Sequence, residues 1–485
     1  LRIYGVLIAT GTGSITFTRW QGDDQWSGIS FYSGSKGDMD YCTIEYATYS
    51  DGKGIYADSP SELKIDHCTF RNDDYGFYGG DVPTSKLTSF TNNTFQNNNT
   101  AGIYIENTSS PSIPGSNTIS GNGTGIWFYN CSSPYIASMT ISNNTNCGVY
   151  YQSCSSIGTV DNLTLNGNGG YGAFRFSGCG DFTLGSNNSY SGNEWPLSID
   201  CASFPSSTSY IPTSGNTNDA IRVTSGTGDK TGTWYRFTGL DYVVTGTPDL
   251  DGTLTIKAGN TLRFKSGVYF RVDGTLNVQG TSTDRVTFTR YGSEEWSGLK
   301  FYSGSNGDLD YCTVEYATYS TAYGIYADSP SSLSLDHCIL RNNDYGFYGL
   351  NASPQFTYNN RIIDNNEYGI YLTGSCNPTF GGSLSQWNDI YGNGTGDGRD
   401  LRNGSQDINA KYIYWGTESG SEVAEKIYDN SDDQNLGGIR WVNNATSEWQ
   451  FGNGRDGEAG RERDANIIDV VTVPGEGKQP GRTQE

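Results

Sequence analysis

The chain has 485 residues, with 30 Lys and Arg against 52 Asp and Glu, a formal net charge of −22 and 34% hydrophobic residues. An acidic surface of this kind disfavours nucleic acid, anionic lipid and polyanionic polysaccharide unless cations bridge them, and leaves neutral glycans, divalent metals and other proteins as partners. No apolar run approaches the roughly 18 residues of a membrane span, and strict periodicity with 13% aromatic residues sets the chain apart from a disordered polar sequence.

In chain order, residues 2–18 align with 271–289, allowing a two-residue gap, whereas nothing matches 253–267. The chain is therefore expected to start inside its first repeat, with a signal peptide and opening coils lying outside it. Residues 26–79 then reappear at 296–349, with 40 of 54 positions identical, which marks a tandem duplication. Within each copy, Gly followed by an apolar or aromatic pair recurs every 22 to 26 residues, at Gly28, Gly54, Gly76, Gly102, Gly125, Gly148 and Gly172, then from Gly252 to Gly369.

In phase with the glycines run triplets such as Cys42-Thr43-Ile44, Asn93-Thr94-Phe95 and Leu163-Thr164-Leu165, whose period-two alternation predicts short strands. Asn72, Asn122, Asn143 and Asn193 follow such triplets and are expected at sharp left-handed corners. A repeat this short, without helical periodicity, reads as one turn of a parallel β-helix. The predicted core ladder is Ile44, Phe70, Phe95, Ile119, Ile141, Leu165 and Tyr190, with Thr43, Thr69, Thr94, Thr118, Thr140 and Thr164 on the outer face. Dividing the repetitive length by the period predicts about 19 coils, and at about 4.8 Å each a rod on the order of 90 Å.

The expected organisation is a first half over 1–217, a second over 218–449 and a polar tail over 450–485, with the repeat least regular near 200–250. A short helix is expected at 422–428. The tail carries one strand-like stretch, with Ile467, Ile468, Val470, Val471 and Val473, which is either part of a disordered linker or a strand that adds to a neighbouring subunit's open coil.

These motifs resemble the right-handed parallel β-helix repeat proteins, which share their architecture with pectate lyases, polygalacturonases and alginate epimerases. Residues 252–289 look like the opening coils of secreted β-helix proteins of bacteria and archaea, and residues 409–441 look like their closing element. The resemblance implies an all-β, right-handed solenoid, and leaves activity to be argued from a site. Gly-His-Gly, Asp-Pro-His-Glu and a matching Arg-x-Lys, signatures of the enzymes in this class, do not occur in the chain.

Candidate sites come from the remaining chemistry. Asp38 and Asp40, repeated as Asp308 and Asp310, share a strand face, where Glu45, Asp58, Asp66 and Asp73 could join them for Ca²⁺ or acid–base glycoside chemistry. His67 and His337 sit in identical Asp-His-Cys frames, but neighbouring strand residues face opposite ways, so a corner role is expected rather than an Asp-His pair. No resident cofactor is expected, with Ca²⁺ the one candidate ion. Cys42 with Cys68, Cys312 with Cys338, and Cys131, Cys154 and Cys179 form columns suited to packing or, in some pairs, to disulfides. Tyr46, Tyr49, Tyr316 and Tyr319 are candidate sugar-stacking residues, with stiffening ladders or a protein interface as the other uses of so many tyrosines. The function expected is that of an extracellular or cell-surface structural or adhesive rod that polymerises into a filament, sheath or layer, with a polysaccharide-processing enzyme or glycan-binding module as the alternative.

Overall fold

In the computed structural model the described residues are 1–441, apart from 12, 23, 83–85, 137, 382–386, 395–398 and 418. They form a parallel β-solenoid of about 16 turns with one short helix. The turn count falls below the expected 19 because coils are not uniform. Successive in-register partners lie 22 residues apart at Ile55 and Phe77 but 31 apart at Ile370 and Leu401. The chain divides into two compact units between Tyr242 and Val243. The candidate assembly residues Ile467, Ile468, Val470, Val471 and Val473 lie outside the described residues.

In the first unit each coil contributes strands to two or three stacked parallel sheets. One sheet contains Lys53–Asp58, Tyr75–Gly80, Ala101–Glu106, Thr124–Tyr129, Cys147–Gln152 and Gly172–Ser177. Another contains Cys42–Glu45, Thr69–Arg71, Thr94–Gln96, Thr118–Ser120, Met139–Ser142 and Leu163–Asn166. The second unit repeats the plan, for example with Tyr323–Asp328, Tyr345–Leu350 and Tyr368–Thr373.

Both expected ladders form in register. Ile44, Phe70, Phe95, Ile119, Ile141 and Leu165 are fully buried, while Tyr190 at the end of the run is partly exposed. Phe70 and Phe95 stack at 4.7 Å with an interplanar angle of 7°, which matches the spacing of neighbouring strands. The six threonines stack on the outer face. All ten cysteines are buried and free, so they act as small packing residues.

Two corner residues come after each triplet, and they do different work. Asn72, Asn97, Gly121, Asn143, Gly167 and Gly192 take the left-handed conformation, with φ between 54° and 69°. The residue after each points inward. Asn122 and Asn193, expected at left-handed corners, belong to this inward column with Asn98, Asn144 and Asn168, all buried. Each donates its Nδ2 to the Oδ1 one coil on, over 2.8, 3.1, 2.9, 2.9 and 3.1 Å, ending on Asn216. Each Oδ1 also accepts a backbone N–H from the preceding coil, as Asn122 does from Asn98 at 3.0 Å. The recurring glycines lie against this column. A Cβ on Gly102 would meet the Gly125 carbonyl at 2.9 Å and Asn122 Nδ2 at 3.0 Å.

The helix spans Gly420–Lys426, capped by Ser419, whose side chain accepts from the Glu422 N–H. It stops short of the expected Tyr428 because Ile427 is extended and, with Tyr428, pairs as a strand with Leu401 and Arg402.

Asp73 begins the amide column of the first unit, where Asn343 stands in the second. A Cβ on Gly54 would lie 2.7 Å from Asp73 Oδ2, and one on Gly324 would lie 2.7 Å from Asn343 Nδ2, so the acid oxygen occupies the place of the amide donor. Asn343 Nδ2 donates to Asn365 Oδ1 at 3.1 Å, whereas Asp73 Oδ2 is buried without a partner. Only the protonated acid can donate from that position. Burial, with Glu45 and Asp74 adding repulsion against the Ala47 N–H, pushes the Asp73 carboxyl up to about 9. The unfolded carboxyl titrates near 3.9, so the folded chain holds a proton that the unfolded chain releases. The contribution of Asp73 to the stability of the first unit is therefore fully present below about pH 4 and is lost as pH rises to about 9, a change on the order of 4 kcal/mol by pH 7. Asp73→Asn should raise the urea midpoint at pH 7 and abolish that slope between pH 5 and 9, and Asn343→Asp should introduce it in the second unit; equal slopes in all three proteins would refute the assignment.

Candidate functional site

The acidic candidates are not gathered into one centre. Asp38 and Asp40 share the outer face of Lys36–Asp40, in register with Lys64 and Asp66. Asp66 Oδ1 is taken by Ser89 Oγ at 2.7 Å and by the Thr91 N–H and hydroxyl at 3.0 and 2.8 Å. Glu45 pairs with Arg71 at 2.7 Å on another sheet, Asp58 lies on a third, and Asp73 is inside. Asp308 accepts from Ser334 Oγ at 2.8 Å.

Both histidines occupy left-handed corners, with φ of 49° and 51°, as expected from their frame. His67 stacks on Tyr41 at 4.8 Å and places Nδ1 3.0 Å from Asp40. His337 stacks on Tyr311 at 4.2 Å, but its Nδ1 lies 2.5 Å from its neighbour Asp336. Strand alternation does not hold at a left-handed corner, so the adjacent side chains do meet in this copy, although neither of the two atoms has a hydrogen-bond partner. Asp310 completes a cluster with these two, and Asp249, Asp251 and Asp273 form another. In the latter, Arg271 Nε already lies 3.1 Å from Asp249 and 2.5 Å from Asp273, filling the place of a cation.

Of the tyrosines singled out from sequence, Tyr46 and Tyr316 are covered by Arg19 and Arg290, each guanidinium 4.2 Å from the ring centre. Tyr49 and Tyr319 are 57% and 45% exposed and stand apart from the main aromatic arrays.

Those arrays lie at the outward position of the Gly-apolar-aromatic strands. In the first unit the row reads Tyr56, Tyr78, Tyr104, Trp127, Tyr150, Arg175, Ser198 and Arg222, one side chain per coil. Ring centres from Tyr56 to Tyr150 are 5.5, 4.6, 5.0 and 5.3 Å apart, and the rings are turned by 56°, 43°, 87° and 27°. Glu106 accepts from the Tyr78 and Tyr104 hydroxyls at 2.7 and 3.0 Å. Burial, and then this carboxylate, hold both phenols well above their ordinary titration range. Tyr56, Tyr78 and Trp127 remain partly exposed, whereas Tyr104 and Tyr150 are packed beneath their neighbours.

The second unit carries Lys300, Tyr326, Tyr348, Tyr371, Arg402 and Tyr428 at the same position. Here the rings lie nearly parallel, Tyr326 on Tyr348 at 5.5 Å and 17°, and Tyr348 on Tyr371 at 5.1 Å and 9°. Arg402 continues the pile 4.4 Å from Tyr371. Parallel rings spend their faces on one another, which stiffens the sheet; edge-to-face rings leave part of their faces for a ligand. The signal for these rows was present in the sequence as the aromatic residue two places after Gly54, Gly76, Gly102, Gly125, Gly148, Gly324, Gly346 and Gly369.

A family model described as "Right handed beta helix region" matches residues 4–113, 27–189 and 266–412, together well over half of the chain. No curated protein matches the chain. With parallel coils stacked in register through both matched regions, the chain belongs to the right-handed β-helix family.

Proposed function

We propose that the protein is an extracellular, cell-surface structural and adhesive rod whose first unit holds a glycan along its aromatic row. The observation that carries this reading is the single file of Tyr56, Tyr78, Tyr104, Trp127 and Tyr150, with ring centres 4.6 to 5.5 Å apart and mutually turned. The partly exposed rings Tyr56, Tyr78 and Trp127 offer surface to a neutral sugar, which presents C–H faces to them and hydroxyls to Glu106, while Tyr104 and Tyr150 pack beneath. The parallel rings of the second unit serve rigidity.

Polymerisation is supported by the first coil, where Val6 and Ile8 face outward at 65% and 68% exposure in register with Lys36 and Asp38 of the next coil. An apolar outer face of this kind suits contact with a second copy. An enzyme reading is favoured by one feature: Asp58, Gly80 and Glu106 share one register line, so two carboxylates stand two coils apart across a glycine, flanked by Tyr78 and Tyr104.

In calorimetry against neutral β-linked oligosaccharides, Trp127→Ala should weaken binding about tenfold, or ~1.4 kcal/mol, without lowering the melting temperature appreciably. Tyr348→Ala should lower the melting temperature and leave binding unchanged. Absence of binding by the intact chain would sink the adhesive reading. Electron microscopy of the full chain should show fibres or sheets; discrete single particles at all concentrations would remove polymerisation.

A further inference from the structure

The duplicated corners at His67 and His337 carry the same residues but not the same hydrogen bonds. In the first copy Asp66 Oδ1 is spent on Ser89 and Thr91, and His67 meets Asp40 at 3.0 Å. In the second copy Gln355 takes the register position of Ser89, and Thr357 turns its hydroxyl to the Leu335 carbonyl at 3.0 Å. Asp336 is thereby released toward His337: its Oδ1 lies 2.5 Å from Nδ1, and neither atom has a hydrogen-bond partner. Asp310, in register with Asp336 one coil earlier, completes the set, and one ligand atom from each of the three residues lies within 4.8 Å of the others.

The charge in this set is not balanced. Burial, and then the facing Asp336, hold the Asp310 carboxyl above its ordinary range. Arg285 donates to the Cys312 and His337 carbonyls, and its single charge leaves the two carboxylates with one negative charge in excess. The far side of the imidazole adds an independent sign. Asn359, 5% exposed, brings Nδ2 to 3.3 Å from His337 Nε2, while its Oδ1 is buried without a partner. The two ends of an amide have the same shape, so the reversed side chain fits the same space and sets Oδ1 against Nε2. Nε2 then carries the ring proton and donates it to Asn359, and Nδ1 turns its lone pair toward Asp310 and Asp336. An imidazole anchored at one nitrogen by an amide carbonyl, with the other nitrogen facing two carboxylates, is a ligand set for a metal ion.

We infer that Asp310, Asp336 and His337 bind one divalent ion of the zinc class, which joins two consecutive coils of the second unit. Imidazole together with carboxylates suits Zn²⁺, whereas Ca²⁺ and Mg²⁺ favour oxygen ligands alone. Ligand atoms around a tetrahedral Zn²⁺ stand roughly 3.3 Å apart. Nδ1 and Oδ1 therefore open from 2.5 Å, a small rotation for side chains that are 21% and 33% exposed at a corner. Three protein ligands leave the fourth position to water. The first copy forms no such set, because Ser89 and Thr91 hold Asp66 Oδ1.

The experiment is titration of the chelator-stripped full chain with Zn²⁺, read by calorimetry and thermal melting, with Co²⁺ absorption as a direct probe of the unmutated protein. One equivalent should bind, resist displacement by excess Ca²⁺, raise the melting temperature and, as Co²⁺, give the visible bands of a tetrahedral site. His337→Gln and Asp310→Asn should each weaken binding at least about tenfold, and His67→Gln should leave it unchanged. Metal-free melting temperatures close to that of the parent show that the variants fold. Failure of the unmutated chain to take up Zn²⁺ or Co²⁺ overturns the site and leaves a proton between Asp336 and His337. Binding that survives His337→Gln, or that is lost equally in His67→Gln, places the ion elsewhere and overturns it as well.

Discussion

The fold depends on one contact repeated coil by coil: a buried asparagine whose amide donates to the next asparagine while its carbonyl takes a backbone N–H from the coil before. Parallel sheets alone fix the spacing of strands but leave the corner between them with unpaired backbone groups, and inside a solenoid no water reaches them. The column from Asn98 to Asn193 satisfies both needs at every step. Because each amide is donor and acceptor in the same direction, the column has polarity, and it ends where the alternation cannot continue. Asp219 takes the last amide in the first unit and Asp400 in the second, both as acceptors.

The glycines that reveal the repeat are set by the same contact. The strand beside the column approaches its neighbour so closely that a Cβ at Gly102 or Gly125 would meet a carbonyl oxygen at 2.9 or 2.5 Å. Neither position has a left-handed backbone, so the requirement is space and not conformational freedom. Gly and Asn therefore recur with one period, and a methyl group at either glycine forces apart the coils that the amides hold together.

The solenoid, its core ladder and its threonine ladder were legible because each depends on one residue's alternation and a constant period. The corner was legible only in part: Asn72 and Asn143 are left-handed, but Asn122 and Asn193 are interior, since the left-handed position is filled one residue earlier by Gly121 and Gly192. Side chains that converge from different coils were not legible at all. Asp38 and Asp40 looked like the start of a carboxylate centre because they share a strand face, yet Glu45, Asp58 and Asp73 belong to other sheets or to the interior. Nor could the sequence tell that Tyr46 and Tyr316 lie under arginines while the rows through Tyr78 and Tyr348 carry the continuous aromatic surface.

Duplication supplies the sharpest comparison within the molecule. The blocks at 26–79 and 296–349 bring the same tyrosines, Tyr56 and Tyr78 against Tyr326 and Tyr348, to the same outward position. Beyond Tyr78 and Tyr348 the two rows diverge: the first unit adds Tyr104, Trp127 and Tyr150 before its first guanidinium, and the second adds only Tyr371. Rings in the first are turned by 43° to 87° between Tyr56 and Trp127, whereas Tyr326, Tyr348 and Tyr371 lie within 17° of parallel. The bulky indole next to Tyr104, and the carboxylate of Glu106 drawing in two phenols, break the parallel stack. At the position of Glu106 the second unit has Thr373, which offers no carboxylate to draw the phenols together. One carboxylate and one indole thus separate a parallel pile of rings from a turned row in which Tyr104 and Tyr150 are buried beneath the partly exposed Tyr78 and Trp127.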